Sequence, residues 1–175
     1  MKVASRHTYP APPDKVFAMM TTPDTLVAKY TALGHDKIEI VEHTVTKGAV
    51  QVRSRREVPM EVPGFAKKFL SPKNTVEQHD RWTAPSADGI RTGTWEVVAR
   101  GVPVKVGGTL RMAPAAKGAT LVEIVGEVSC SVPLLGGKLA SFVGGDVQRT
   151  LDAEEQFQEA HLAAGVTRPQ RPRRQ

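Results

Sequence analysis

From Asp36 to Val132 the apolar residues recur at every second position, and after Pro133 they recur with the period of a helix. This switch constrains the fold more than any other feature, since a period of two makes strands with one apolar face and a period near 3.6 makes a helix with an apolar stripe. Candidate strands run over 37 to 45, 49 to 58, 74 to 82, 90 to 100, 103 to 113 and 119 to 132. Their connections are short and carry turn residues: Lys47-Gly48, Ser86-Ala87-Asp88-Gly89, Gly101 with Pro103, and Lys117-Gly118. Successive strands joined this way are antiparallel neighbours in a meander. The last strand sets Val122, Ile124, Val128, Cys130 and Val132 against Glu123, Glu127, Ser129 and Ser131, so one side of the sheet is buried. The strand before it sets Val104, Val106, Leu110 and Met112 against Lys105, Thr109 and Arg111. Ile38-Glu39-Ile40 changes phase at Val41, which leaves the facing of that strand open, and Gly107-Gly108 within a strand predicts strong curvature or a bulge.

Ahead of this region, residues 2 to 9 alternate as a strand before Pro10, Pro12 and Pro13 force a turn. Asp14 then opens a short helix carrying Val16, Phe17 and Met20. A second begins near Thr22-Pro23-Asp24 and runs through Leu26, Val27 and Tyr30 to Leu33, with Gly34 as its stop. Beyond Pro133 a long helix reaches about Ala164. Its apolar side is Leu135, Leu139, Phe142, Val143, Val147, Phe157 and His161; Lys138, Ser141, Gln148, Asp152, Glu155 and Glu159 make the polar one. Gly144-Gly145 predicts a kink in it. The sum is an α+β domain over residues 1 to 165: a curved antiparallel sheet of about seven strands around a long C-terminal helix, with two short helices after the first strand.

With 175 residues, 40% of them hydrophobic, the chain can bury a core without metal or disulfide help. Its single cysteine, Cys130, lies in an alternating apolar segment and is expected to pack rather than react. Charged residues at the N-terminus and the lack of any long apolar run argue against a signal peptide or a membrane span, so a cytoplasmic protein is expected. Of the net charge of +6, Arg168, Arg171, Arg173 and Arg174 supply four, so the basic character lies mostly at the end of the chain. Residues 166 to 175 read as a disordered basic tail, and no specific nucleic-acid partner is expected. His7, His35, His43, His79 and His161 are scattered without ligand spacing, so neither metal nor cofactor is predicted.

Tyr9-Pro10-Ala11-Pro12-Pro13-Asp14-Lys15-Val16-Phe17 resembles the end of the first strand and start of the first helix in the START, birch-pollen-allergen and polyketide cyclase superfamily, the helix-grip or SRPBCC fold. Val132-Pro133-Leu134-Leu135-Gly136-Gly137-Lys138-Leu139 is similar to the lead into its last helix, particularly in an uncharacterised bacterial branch. The resemblance covers residues 1 to about 164. It implies a cavity between the concave face of the sheet and the last helix, which in relatives holds lipids, sterols, polyketides or other apolar molecules. It carries over no catalytic residue.

An apolar small-molecule ligand is therefore the expected partner, and Val52, Trp95, Val97, Leu110, Val128, Phe142 and Val143 are the expected apolar lining. Arg56 shares a face with Val50, Val52 and Val58 and, if inward, calls for a carboxylate on the last helix or on the ligand. A helical wheel adds Asp146, Thr150 and Glu154 to the apolar stripe, either as polar lining, as a cap after Gly144-Gly145, or as partners of Arg56 or Arg91. Gln78-His79-Asp80-Arg81-Trp82, with Arg91 and Trp95, is either a solvated hairpin face or an inward set able to orient a ligand. Residues 59 to 72 are too long for a hairpin turn. Phe65, Phe69 and Leu70 make them a candidate lid, a segment able to touch a membrane surface, or a loop anchored to the core. The rival readings are an enzyme of the cyclase, aromatase or dehydratase kind, needing inward groups such as His79 or Asp80, and an interaction module built on the tail and the 59 to 72 loop. Oligomeric state is not legible. Because the segment after residue 165 offers almost no apolar surface, deleting residues 166 to 175 is expected to leave the melting temperature nearly unchanged, as differential scanning calorimetry would show.

Overall fold

The computed structural model describes residues 1–166. A first strand, β1 (Lys2–Tyr9), leads to two short helices, α1 (Pro13–Thr21) and α2 (Pro23–Ala32). Six strands follow, β2 (Asp36–Thr46), β3 (Ala49–Pro59), β4 (Lys73–Trp82), β5 (Arg91–Ala99), β6 (Val104–Pro114) and β7 (Thr120–Cys130), before the long helix α3 (Gly136–Val166). Val166 is therefore part of the helix, and the rest of the expected tail lies outside the described residues.

All seven strands form one antiparallel sheet in the order β1-β7-β6-β5-β4-β3-β2. The meander is what the short connections dictate. Only β1 is displaced in sequence, pairing with β7 so that α1 and α2 bridge the two ends of the sheet. Proline at the first turn of both short helices costs no hydrogen bond, because those N–H groups have no partner inside a helix. Gly34 ends α2 at φ +81°, a conformation open chiefly to glycine. On α2, Leu26 and Tyr30 are buried as expected, but Val27 is exposed and Lys29 takes the inward place.

The phase change in β2 is a real irregularity: its register against β3 shifts between Asp36 and Glu39 and again between Ile40 and Glu42. The bulge entertained at Gly107-Gly108 does not occur, since β6 keeps unbroken register with both neighbours. Gly108 fits the other expectation, curvature. Trp95, Gly108 and Gly126 stand opposite one another across β5, β6 and β7, and the indole of Trp95 lies over the two glycines with Nε1 donating to the Val125 carbonyl at 3.2 Å. A Cβ on Gly126 would come within 2.4 Å of the ring. Small residues at the centre of the sheet thus let it bend and hold the largest side chain on its concave face.

α3 continues through Gly144-Gly145 without a break. Gly144 gives room to the Met1 side chain, whose sulfur would lie 2.5 Å from a Cβ there. The helix buries Leu139, Ala140, Val143, Leu151, Gln158 and Leu162, while Phe157 is only half-buried and His161 is exposed, stacked on Phe157. The buried stripe has turned from the wheel's expectation because part of the polar side faces β1 rather than water. Gln148 exchanges two hydrogen bonds with the Ala4 backbone, at 3.0 and 2.8 Å. Glu155 and Glu159 each lie 2.7 Å from a ring nitrogen of His7. The Tyr9 hydroxyl donates to Gln158 at 2.5 Å, and burial with these carboxylates pushes its pKa well up. A side-chain amide bonded to the strand's backbone blunts an edge otherwise free to pair with another chain.

Replacing Gly126 with alanine is expected to lower stability by about 1 to 3 kcal/mol, the usual cost of forcing extra volume against a fixed ring. Urea denaturation would measure it, with a red shift in tryptophan emission if the indole is displaced into water.

Candidate functional site

The concave face of β3 to β7 and the inner side of α3 enclose a cavity of about 150 Å³. One helix laid across a sheet this curved cannot fill the hollow beneath it. Trp82, Trp95, Val97, Val106, Leu110, Ile124, Val143 and Leu151 give most of the wall its apolar character. A shallower depression lined by Pro59, Met60, Phe142, Asp146 and Arg149 shares Met60 and Asp146 with the cavity and marks its mouth.

Away from the mouth the wall turns polar. Lys29 of α2 donates to Glu154 of α3 at 2.9 Å; the lysine is buried and the glutamate mostly so. Burial acts to lower the Lys29 pKa, but Glu154, with smaller help from Asp80 and Tyr30, more than offsets it, so the ammonium is held charged. Arg56, only 4% exposed, points inward and lies 3.8 Å above the Tyr30 ring. Its Nε donates to His35 Nδ1 at 3.1 Å, Nη1 to the Ser54 hydroxyl at 3.0 Å, and Nη2 to the Gln78 carbonyl oxygen at 2.7 Å. Guanidinium only donates, so Gln78 must present its amide nitrogen to Asp80, at 3.0 and 3.2 Å from the two carboxyl oxygens. For the same reason the proton of neutral His35 sits on Nε2.

Burial, reinforced by Arg56 and Lys29, holds His35 down to about 4, so it is neutral at pH 7. Burial also raises the Asp80 pKa, against the lowering effect of Gln78, Lys29 and Arg56. The carboxylate expected beside Arg56 is therefore not supplied by the last helix, whose Glu154 belongs to Lys29. Physically, α2 brings an ammonium closer to Glu154 than β3 can bring its guanidinium.

Of the residues singled out by sequence, Arg56, Trp95, Val97, Leu110, Val143, Asp146, Thr150, Glu154 and Leu70 line the cavity. Val52 and Val128 are buried but lie in the core outside its wall, and Phe142 lines only the mouth. Phe65 packs edge-on to Phe142, with Lys138 Nζ 4.1 Å from its ring. Phe69 is half-buried against the core and neither phenylalanine touches the cavity. Asp146 caps no restarting helix; it pairs with Arg149 at 3.3 Å, and its backbone carbonyl accepts from the Thr150 hydroxyl. Alternation splits the Gln78 to Trp82 run: Gln78, Asp80 and Trp82 face in, whereas His79 and Arg81 face out towards Glu96. Arg91 stacks 3.7 Å above Phe17 and donates to the Gly48 and Thr83 carbonyls.

Sequence reasoning passed over Lys29 and His35. The usable signal was a lysine at helical spacing between Leu26 and Leu33, on the stripe that had to face inward.

The chain belongs to the family described as protein of unknown function DUF2505, whose model matches residues 4–162. No curated protein sequence matches it significantly. Among solved structures it resembles the Zhui aromatase/cyclase from Streptomyces sp. R1128, with TM-score 0.65 and 16% identity over 95% of each chain. It also resembles Ara h 8.0201, a Bet v 1 allergen, with TM-score 0.55 and 17% identity over 91% of this chain and 98% of the other. The human StarD13 lipid transfer and protein localization domain gives TM-score 0.52 and 13% identity over 86% and 75%. These likenesses establish the helix-grip fold.

Lys29→Met strands the Glu154 carboxylate in the interior and is expected to cost about 3 to 5 kcal/mol, most of it recovered in the Lys29→Met, Glu154→Leu double variant. Chemical denaturation of the three proteins tests this. A second expectation concerns pH. His35 is depressed from 6.5 to about 4 in the fold, so the unfolded chain takes up its proton first and stability is lost as pH falls from 6.5 towards 4. Asp80, raised in the fold, acts oppositely, costing stability as pH rises through its titration. His35→Gln keeps an acceptor for Arg56 and removes the titration, so its melting temperature should fall less over that interval than the parent's.

Proposed function

We propose that this DUF2505-family protein binds and carries a small apolar molecule bearing one polar group, held between sheet and α3. One observation carries the reading: a largely apolar cavity between sheet and helix with a cluster of polar groups, Lys29, His35, Arg56, Asp80 and Glu154, in one part of its wall. Ligand sites commonly pair an apolar wall with a few polar groups that fix orientation. A volume of about 150 Å³ is what a single aromatic ring fills, and it is below the roughly 300 Å³ at which drug-sized ligands begin. The fit is to a compact molecule rather than to a sterol or long-chain lipid. Trp95, Val97, Leu110 and Val143 would bury its body, while Arg56, Thr150 and Glu154 stand near its polar end.

Loop 59 to 72 flanks the mouth. Leu70 reaches the cavity wall, and Phe65 bears on Phe142 beside it. Lys67, Lys68 and Lys138 are exposed nearby, and Leu134 is fully exposed at φ +64°. Such a rim suits brief contact with an anionic membrane surface while the ligand passes. The inward placement of Asp80 favours a second reading, in which the protein acts on its ligand as a cyclase, aromatase or dehydratase. Burial raises the pKa of this carboxyl, the direction that suits a general acid.

Native mass spectrometry of the purified protein, with organic extraction of whatever copurifies, tests the proposal. A stoichiometric small molecule is expected, and Val143→Trp should abolish it by filling the cavity while circular dichroism stays unchanged. A protein that neither copurifies nor takes up any compact apolar compound would sink it, and turnover of the extracted molecule would favour the enzyme. In a lid, Phe65→Ser with Phe69→Ser speeds ligand dissociation by more than it lowers stability. Loss of stability with unchanged dissociation would make the loop an anchor.

A further inference from the structure

We infer that the polar group of the ligand is a carboxylate, seated between Arg56 and Lys29 at the inner end of the cavity. This rests on the binding reading above and narrows it from any apolar molecule to compact carboxylic acids. The first ground is the balance of donors and acceptors. Arg56 uses three of its five N–H groups and Lys29 one of its three, on the hydrogen bonds the described residues make. Among the described residues His35 Nε2, which must carry the imidazole proton, has no hydrogen-bond partner, and His35 lines the cavity beside Arg56 and Lys29. With two N–H groups left on Arg56 and two on Lys29, the donors of these lining residues outnumber the acceptors they meet, and a ligand oxygen that accepts several bonds at once fits that surplus.

The second ground is charge. Facing this end are Lys29 and His35 from α2 and the turn after it, Arg56 from β3, Asp80 from β4 and Glu154 from α3. Lys29 and Glu154 cancel. Arg56 has only neutral partners: an imidazole, a hydroxyl and an amide. Asp80, the other acid at this end, has both its oxygens on the Gln78 amide nitrogen, and burial raises its pKa. No carboxylate among the described residues forms an ion pair with Arg56, and a buried charge without a direct counterion is costly. A monoanion beside the guanidinium supplies that counterion. A carboxylate also matches the planar guanidinium fork.

Both tryptophans of the chain, Trp82 and Trp95, line the cavity, so intrinsic fluorescence reports its occupancy directly. The experiment titrates the protein, stripped of copurifying molecules, with 3-phenylpropanoate and with the uncharged isostere 3-phenylpropanamide at pH 7. The expected result is at least tenfold tighter binding of the acid. Arg56→Gln should remove that preference, weakening the acid tenfold or more and the amide less than threefold. Should Arg56→Gln fail to fold, the comparison of acid with amide on the unaltered protein still decides. Equal binding of the two, or tighter binding of the amide, overturns the carboxylate and leaves the apolar-ligand reading standing. If neither probe binds and no apolar compound perturbs the fluorescence, the binding reading itself falls.

Discussion

A single sheet with one apolar face needs something to cover that face, and here one long helix does most of it. The sheet answers by curling round α3, and the curl is permitted where Trp95, Gly108 and Gly126 line up across three strands. Two residues without side chains let the strands bend and leave the indole flat against backbone. The rest follows from this accommodation. A curved sheet and a single helix touch along their margins and part in the middle, so a hollow forms under α3 unless large side chains fill it. Valines dominate that region, and they do not fill it.

The margins are held by two kinds of contact. Along β1, α3 uses polar side chains, with Gln148 on the Ala4 backbone and Gln158 on Tyr9, which also covers a free strand edge. At the α2 margin the contact is the buried Lys29 and Glu154 pair. Such pairs add little net stability over apolar residues of equal size, because desolvation offsets most of the attraction. Their retention inside an apolar wall is better understood through what they do to the cavity. The pair places an ammonium and a carboxylate at its inner end, where burial and Arg56 hold His35 neutral and burial raises the Asp80 pKa.

Particular residues show how far local pattern reaches. Arg56 was legible as inward because β3 alternates cleanly between Val50, Val52 and Val58. The same rule applied to β4 separates Asp80 from His79 once the facing of Trp82 is known. Glu154, Thr150 and Asp146 followed from a helical wheel, since 100° per residue fixes a face over a few turns. The wheel drifted further on, at Phe157 and His161, because there the partner is the polar side of β1 rather than an apolar core. Lys29 was missed for a related reason. Its position on a helix stripe argues for burial, its charge argues against, and only a partner 125 residues away resolves the conflict.

By itself the sequence determined the element order, the antiparallel meander and the single buried face, because periodicity and turn chemistry are local and each residue carries them without its neighbours in space. It also marked Gly107-Gly108 as a place of strong curvature or a bulge. The tertiary structure alone decided that Gly108 and Gly126 stand in one row with Trp95, that Gly144 makes room for Met1, and that Val52 and Val128 lie behind the cavity wall while Lys29 and His35 form part of it. Those outcomes depend on distances between segments far apart in the chain. Whether a buried arginine meets a carboxylate or an imidazole is settled by the sub-ångström packing of three elements, and no spacing along the sequence encodes that.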